Sequence, residues 1–118
     1  MQTNDPQSLM NGMVKKNNEL SLKIDELTDL AESMAQAERD FNVAYARKLL
    51  ELKTDGNAIT TAKDLAKGDS AVADLLFKFR VAEAVHNACK KRIDALGTGI
   101  DTYRSLLSFR KQEYSQSA

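Results

Sequence analysis

Residues 20–34 read LSLKIDELTDLAESM, and this stretch decides the fold. Leu20, Leu27 and Met34 recur every seven residues, and Ile24 lies three positions before Leu27. Apolar residues at alternating steps of three and four form one face of an α-helix that packs against another helix. Extended along the chain, the two heptad rows are Met13, Leu20, Leu27, Met34 and Phe41, and Met10, Asn17, Ile24, Ala31, Glu38, Tyr45 and Leu52. The pattern predicts a long first helix.

The second half of the chain carries the same pattern. Its two rows are Val72, Phe79, His86, Ile93, Ile100, Leu107 and Tyr114, and Leu75, Ala82, Cys89, Leu96 and Tyr103. Both rows pass through Gly97-Thr98-Gly99 without a change of register, although two nearby glycines favour a break. We predict one long helix with a soft point at these glycines, and a true break there is the alternative.

Turn and capping residues place the ends of the elements. Asp5-Pro6 is typical of a helix start, and Gly56 marks the next break in the pattern. Thr61-Ala62-Lys63-Asp64 resembles a capping box, and Gly68 suits a C-cap. Asp69 or Ser70 then caps the following helix. We predict a single helical domain, residues 1–118, divided into a helix at 6–54, a connector with a short helix at 55–69, a helix at 70–114 and a frayed tail at 115–118.

Charge predicts how the two long helices pair. Acidic residues dominate positions 19–40 and basic residues dominate positions 78–92. Opposite charges favour an antiparallel hairpin, and a turn near residue 62 would place Glu19 near Arg104. The apolar stripes are wider than one hairpin can cover, because Leu22, Leu30, Leu49, Leu50, Leu76, Val81 and Val85 lie off the rows. The predicted fold class is therefore all-α: a coiled-coil-like hairpin that dimerises into a four-helix assembly.

Composition excludes several classes of protein. The chain has 118 residues, with 17 Lys and Arg against 17 Asp and Glu, so its formal net charge is zero. A single Cys excludes a disulfide framework and suits a reducing compartment. The sequence contains no apolar run of about 20 residues and no charged-then-apolar start. We expect a cytoplasmic protein without contact with a membrane.

The chain offers little catalytic chemistry. His86 and Cys89 share a helix face and could hold a metal or form a nucleophile–base pair, but both fit a helical seam as core residues. Asp25, Asp29 and Glu32 could chelate a cation, although a solvated acidic face explains them better. The sequence has no phosphate-binding loop and no nucleophile elbow. We predict no enzymatic activity, no cofactor and no metal site.

Two surfaces are candidates for binding a partner. The first is the connector, where Lys63 and Lys67 stand one helical turn apart with Asp64 between them. The second is the run Lys90-Lys91-Arg92, which could contact nucleic acid. Zero net charge and the absence of a row of exposed aromatic residues make a protein partner the favoured reading.

Parts of the chain resemble a known type of protein. The motifs are Ala37-Glu38-Arg39-Asp40-Phe41 with Ala44-Tyr45-Ala46, then Lys63-Asp64-Leu65-Ala66-Lys67-Gly68-Asp69, and then Ala82-Glu83-Ala84. Over residues 37–110 the chain is similar to small helical proteins of phages and prophages of Gram-positive bacteria. Their early-region genes often lie near those for single-strand annealing or replication proteins. The resemblance brings no catalytic residues.

The resemblance implies a phage accessory protein that acts in the bacterial cytoplasm by protein–protein contact, in replication or recombination. Two alternatives remain open. One is a small inhibitor that captures a host enzyme such as a defence nuclease. The other is a module that binds nucleic acid or helps to assemble the virion. In each case we expect the protein to bind itself and a phage or host macromolecule.

Overall fold

A computed structural model describes residues 5–117, with side chains up to residue 116. It contains three α-helices, α1 (Pro6–Thr54), α2 (Ile59–Gly68) and α3 (Ser70–Ser117), and no strand within the described part. The all-α prediction is confirmed. The chain divides into two compact units: unit 1 comprises Met1–Leu27 with Ala88–Ala118, and unit 2 comprises Thr28–Asn87. The single domain stays a prediction.

The outer ends of the long helices follow from local hydrogen bonds. Oδ2 of Asp5 accepts a hydrogen bond from the Ser8 N–H at 3.3 Å, so Asp5 caps α1 with Pro6 in the first helical position, as predicted. The prediction that α3 ends at 114 was wrong, because the helix continues to Ser117. An ion pair one turn apart, Arg110 Nη1 to Glu113 Oε2 at 3.1 Å, supports this last part of the helix.

α1 ends in a Schellman motif around Gly56. The Gly56 N–H donates to the Lys53 carbonyl at 3.0 Å, and the Asn57 N–H donates to the Leu52 carbonyl at 3.2 Å. The Asn57 side chain also donates to the Leu52 carbonyl at 2.9 Å. Gly56 has a φ of 98°, which L-residues rarely adopt. The chain therefore leaves α1 through a tightly bonded turn.

The predicted capping of α2 was wrong in two details. The helix begins at Ile59, after an Ala58 cap without a side-chain bond, so Thr61 lies inside the helix and does not cap it. Gly68 is the last helical residue, and its φ is not positive. Gly68 is not the cap because the C-cap lies one residue later, at Asp69, whose backbone is extended. Its Oδ2 accepts the Val72 N–H at 3.2 Å, so one residue ends α2 and caps α3.

α3 runs through Gly97 and Gly99 without a break, as the continuous heptad rows predicted. In unit 1, Gly99 gives room to an α1 side chain: a Cβ at this position would lie 3.1 Å from Cδ of Lys16. Lys16 thus lays its aliphatic stem across the glycine, as long basic side chains often do on apolar surfaces. Gly99 therefore permits a close contact between the helices of this unit.

Within unit 1, the start of α1 lies antiparallel to the end of α3. Glu19 is bonded to Arg92, and Lys23 lies against Cys89, while Lys16 and Gly12 contact residues further along α3. The predicted register was wrong, since Glu19 binds Arg92 and not Arg104, roughly three helical turns away. The predicted register relied on exposed ion pairs, which contribute only about 0–1 kcal/mol each and so are too weak to set it. The full-length hairpin stays a prediction.

Burial tests the predicted rows. On α3 the described rows are buried or half-buried apart from Tyr114, so that prediction is confirmed except at its end. On α1 the row beginning at Met13 is half-buried. Its companion row was wrong at Met10, Asn17, Ile24 and Glu38, which are exposed, and correct at Ala31, Tyr45 and Leu52, which are half-buried. The inner face also includes Leu9, Lys16, Lys23, Leu30, Ala37 and Ala44.

Candidate functional site

The connector helix α2 is held firmly on one side. Ala62 and Ala66, one turn apart, are both 0% exposed. The helix is also fixed at its ends, by the bonded turn at Gly56 before it and by the Asp69 cap after it. Small buried residues on one face and bonded termini make α2 a defined element of unit 2, as the sequence predicted, and not a loose linker.

The opposite side of α2 is exposed. Lys63, Asp64 and Lys67 are all exposed, and we call these three residues the connector face. No ion pair involves any of the three within the described part of the chain. Ile59 and Leu65 are 44% and 48% exposed and add apolar area to the same helix. The structure thus presents charged and apolar groups together on a fixed helix.

An ion-pair cluster joins the end of the connector to α1 in unit 2. Nζ of Lys48 lies 3.4 Å from Oε1 of Glu51 and 3.7 Å from Oδ1 of Asp69. The Glu51 carboxylate raises the pKa of Lys48 above its usual value, and Asp69 acts in the same direction. Asp69, directly after α2, lies beside Lys48 and not beside Thr54, where α1 ends. The chain has therefore already turned back along α1 where α2 ends.

The second candidate surface, Lys90-Lys91-Arg92, lies on α3 in unit 1 and is exposed; we call it the basic ridge. Arg92 is engaged within the protein, because its Nε and Nη2 both donate to Oε1 of Glu19, Nε at 3.0 Å. This hydrogen-bonded guanidinium lowers the pKa of Glu19 below its usual value. Of the three residues of the basic ridge, Lys90 and Lys91 form no ion pair within the described part of the chain.

His86 belongs to unit 2 and Cys89 to unit 1, and each lies in its own surroundings. Cys89 is buried, with Sγ 3.4 Å from the Lys23 carbonyl oxygen. His86 is half-buried, and its Nδ1 is sealed from solvent without a hydrogen-bond partner in the described part. Nowhere between residues 5 and 117 do three His, Cys, Asp or Glu side chains come together to hold a metal ion.

Unit 2 also carries an acidic groove along α1. It is shallow and open, because all of its lining residues lie along one face of this single helix: Asp29, Glu32, Ser33, Gln36, Ala37 and Asp40. The small side chains of Ser33 and Ala37 leave room between the acidic groups. The sequence predicted a solvated acidic face at Asp29 and Glu32, but not a groove that reaches Asp40.

A further apolar surface lies on α3, and the sequence indicated it only in part, through Val81 and Val85. Phe77 is 69% exposed, and Val81 and Val85, which follow at steps of four on α3, are 46% and 44% exposed. We call these three residues the outer stripe. Phe77 lies outside both heptad rows, and its spacing to Val81 and Val85 is the signal that could have shown a second apolar face.

Comparisons with known proteins bring no relative: no family model, no curated protein and no solved structure matches this chain. None of the helices within residues 5–117 is both long enough and apolar enough to cross a membrane.

Proposed function

We propose that this protein works by binding another protein, without turnover chemistry, and that the connector face is the contact surface. The observation that carries the proposal is the asymmetry of α2: Ala62 and Ala66 are fully buried while Lys63, Asp64 and Lys67 are exposed and unpaired within the described chain. Because α2 is already fixed, this protein loses little conformational entropy when a partner binds to the helix.

The resemblance of residues 37–110 supports a more specific role, that of a phage or prophage accessory protein in replication or recombination. Inhibition of a host enzyme is the alternative within the same mode of action, since it needs only the same exposed helix. Direct binding of nucleic acid through the basic ridge is the less favoured function, because Arg92 is already bonded to Glu19.

We further propose that the chain forms one antiparallel hairpin, which dimerises into a four-helix assembly. The antiparallel contacts of unit 1 and the Lys48–Asp69 pair of unit 2 support the hairpin. Spin labels at Thr28 and Asn87, in a Cys89→Ala background, test it. Two helices in contact have axes about 8–10 Å apart, so one short, narrow distance is expected. A long or broad distribution would contradict the hairpin.

The test of the binding function compares two charge-reversed variants. The intact tagged protein, Lys63→Glu/Lys67→Glu and Lys90→Glu/Lys91→Glu are each used to capture proteins from lysogenic host cells. The last two carry the same change of net charge, so each controls for the other. We expect a specific partner to be lost only with the connector variant. Loss only with the ridge variant, together with DNA binding that weakens with salt, would favour the nucleic-acid function.

A further inference from the structure

In unit 2, α3 is apolar on two opposite faces. Val72 and Phe79 are buried, with 2% and 9% exposure, and form its inner face. Successive residues of an α-helix are rotated by about 100°, so Phe77 and Val81 point away from Phe79. The outer stripe is therefore a second apolar face that no described residue covers.

Three exposed charged residues lie on or beside the outer stripe: the bases Lys78 and Arg80, and the acid Asp74, which stands one turn before Phe77 on the same face. Lys78 and Arg80 border it on either side. Lys78 forms no ion pair in the described part of the chain, and Arg80 pairs only with Glu83 of its own helix, at 3.1 Å. These cations favour an acidic surface as the occupant of the stripe.

The same unit carries such a surface. Asp29, Glu32 and Asp40 of the acidic groove form no ion pair with any described residue, although Asp40 accepts a hydrogen bond from Gln36 at 2.8 Å. The groove extends about 16 Å along α1 and the outer stripe about 12 Å along α3, at 1.5 Å rise per residue. Lys78 on one surface and Asp29, Glu32 and Asp40 on the other thus have no ion-pair partner in the described chain, and the two surfaces are of similar length.

We propose that a second copy of this chain covers the outer stripe, with the stripe of each copy lying in the acidic groove of the other. In this arrangement Phe77 enters the groove between the acidic groups, while Lys78 and Arg80 meet Asp29, Glu32 and Asp40 of the second copy. Reciprocal contacts close a two-fold dimer. They also use both surfaces of both copies, which helps to reach the roughly 800 Å² per partner of stable complexes.

Pairing of the two outer stripes with each other fits less well. In an antiparallel two-fold contact centred on Val81, Arg80 of one copy would lie beside Arg80 of the other. This is because Arg80 is next to Val81 in the sequence. Like charges that face each other across an interface weaken association. The proposed contact rests on the dimer of the proposed function and specifies its surface.

The first experiment measures the mass of the intact protein by light scattering at micromolar concentration. We expect the dimer to become a monomer with Phe77→Asp and to persist with Phe109→Asp, a matched change at another exposed Phe of α3, which is 59% exposed. Both side chains are exposed, so the helical circular dichroism should remain. A monomeric native protein would overturn the dimer itself, whereas a dimer that survives Phe77→Asp would overturn only the proposed surface.

The second experiment exchanges the charges. Lys78→Glu/Arg80→Glu and Asp29→Lys/Glu32→Lys/Asp40→Lys should each be monomeric alone, since like charges would face each other in both contacts. Mixed in equal amounts, they should form a heterodimer, because each contact again joins opposite charges. Native mass spectrometry distinguishes the mixed dimer by its mass. Absence of the mixed dimer would overturn the pairing of stripe and groove.

Discussion

Gly12 of α1 lies directly against the ring of Tyr103 of α3 in unit 1. A Cβ at position 12 would stand 2.7 Å from Cζ and from the hydroxyl oxygen of Tyr103, closer than real Cβ atoms come to a neighbour. Glycine normally weakens a helix interior, by about 1 kcal/mol relative to alanine. The contact with Tyr103 explains why the helix tolerates a glycine here.

This contact predicts that the effect of Gly12→Ala depends on residue 103. In the native chain the substitution should lower the free energy of unfolding, because the Tyr103 ring must leave its place. In a Tyr103→Ala background it should raise that free energy by about 1 kcal/mol, through helix propensity alone. Urea unfolding of the four proteins checks the prediction.

Gly97→Ala is the control for this cycle. A Cβ at position 97 would meet nothing within 4 Å, so the substitution should stabilise the protein by about 1 kcal/mol in either background. A destabilising Gly97→Ala, or the same sign for Gly12→Ala with and without Tyr103, would contradict the proposed role of the ring.

The turn after α1 predicts a strained substitution at Gly56. With φ at 98°, alanine would adopt an unfavourable conformation although there is open space around it. We expect Gly56→Ala to lower the free energy of unfolding by about 1 kcal/mol or more. Gly68→Ala, where φ is not positive and nothing lies within 4 Å, should not destabilise. Equal effects at the two positions would argue against the Schellman turn.

Asp69 predicts a difference between two substitutions at one position. Asp69→Ala removes the side-chain cap of α3 and should cost about 1 kcal/mol in the free energy of unfolding. Asp69→Asn keeps an oxygen that accepts the Val72 N–H and should cost much less. Thermal unfolding at neutral pH compares them. If asparagine were as harmful as alanine, the ion pair with Lys48 would be the more important role.

The Glu19–Arg92 pair predicts a dependence on acid. The folded-state pKa of Glu19 lies below its ordinary value of 4.5, so the pair stabilises the folded state above pH 4.5. This contribution is lost as the pH falls from 4.5 through the lowered pKa. The stability difference between the native protein and Glu19→Gln should therefore be constant from pH 7 to about 5 and shrink below 4.5. In an Arg92→Gln background the same substitution at Glu19 should show a smaller step, because the guanidinium that lowers the pKa of Glu19 is absent.

The sequence predicted most of the boundaries because they depend on local chemistry. Asp5, Gly56 and Asp69 act through hydrogen bonds to residues within five positions, and the local pattern contains this information. The connector was found as a helix, but its cap was misplaced, since Asp69 and not Gly68 ends it. Its exposed Lys63 is where the sequence indicated, although the binding role is still a prediction.

The inward face of α1 could not be read as reliably. Two companion rows are compatible with the row of Met13: one begins at Met10, three positions before it, and the other contains Lys16, three positions after it. Both rows include apolar residues. The row that begins at Met10 is exposed over its first three members, whereas Lys16 and Lys23 lie on the inner face in this part of α1. A lysine is normally predicted to be exposed, yet its aliphatic stem can pack on a neighbouring helix while its ammonium group remains in water.

Cys89 gives unit 1 a chemical reporter of its own opening. It is the chain's single cysteine, only 7% exposed and seated on the Lys23 carbonyl. An alkylating reagent attacks a thiolate that it can reach, so the reaction must proceed through molecules in which this part of the protein has opened. When closing is faster than alkylation, the rate of labelling relative to an unprotected thiol equals the equilibrium constant for opening. Mass spectrometry could then follow the local motion of this protein without any engineered probe.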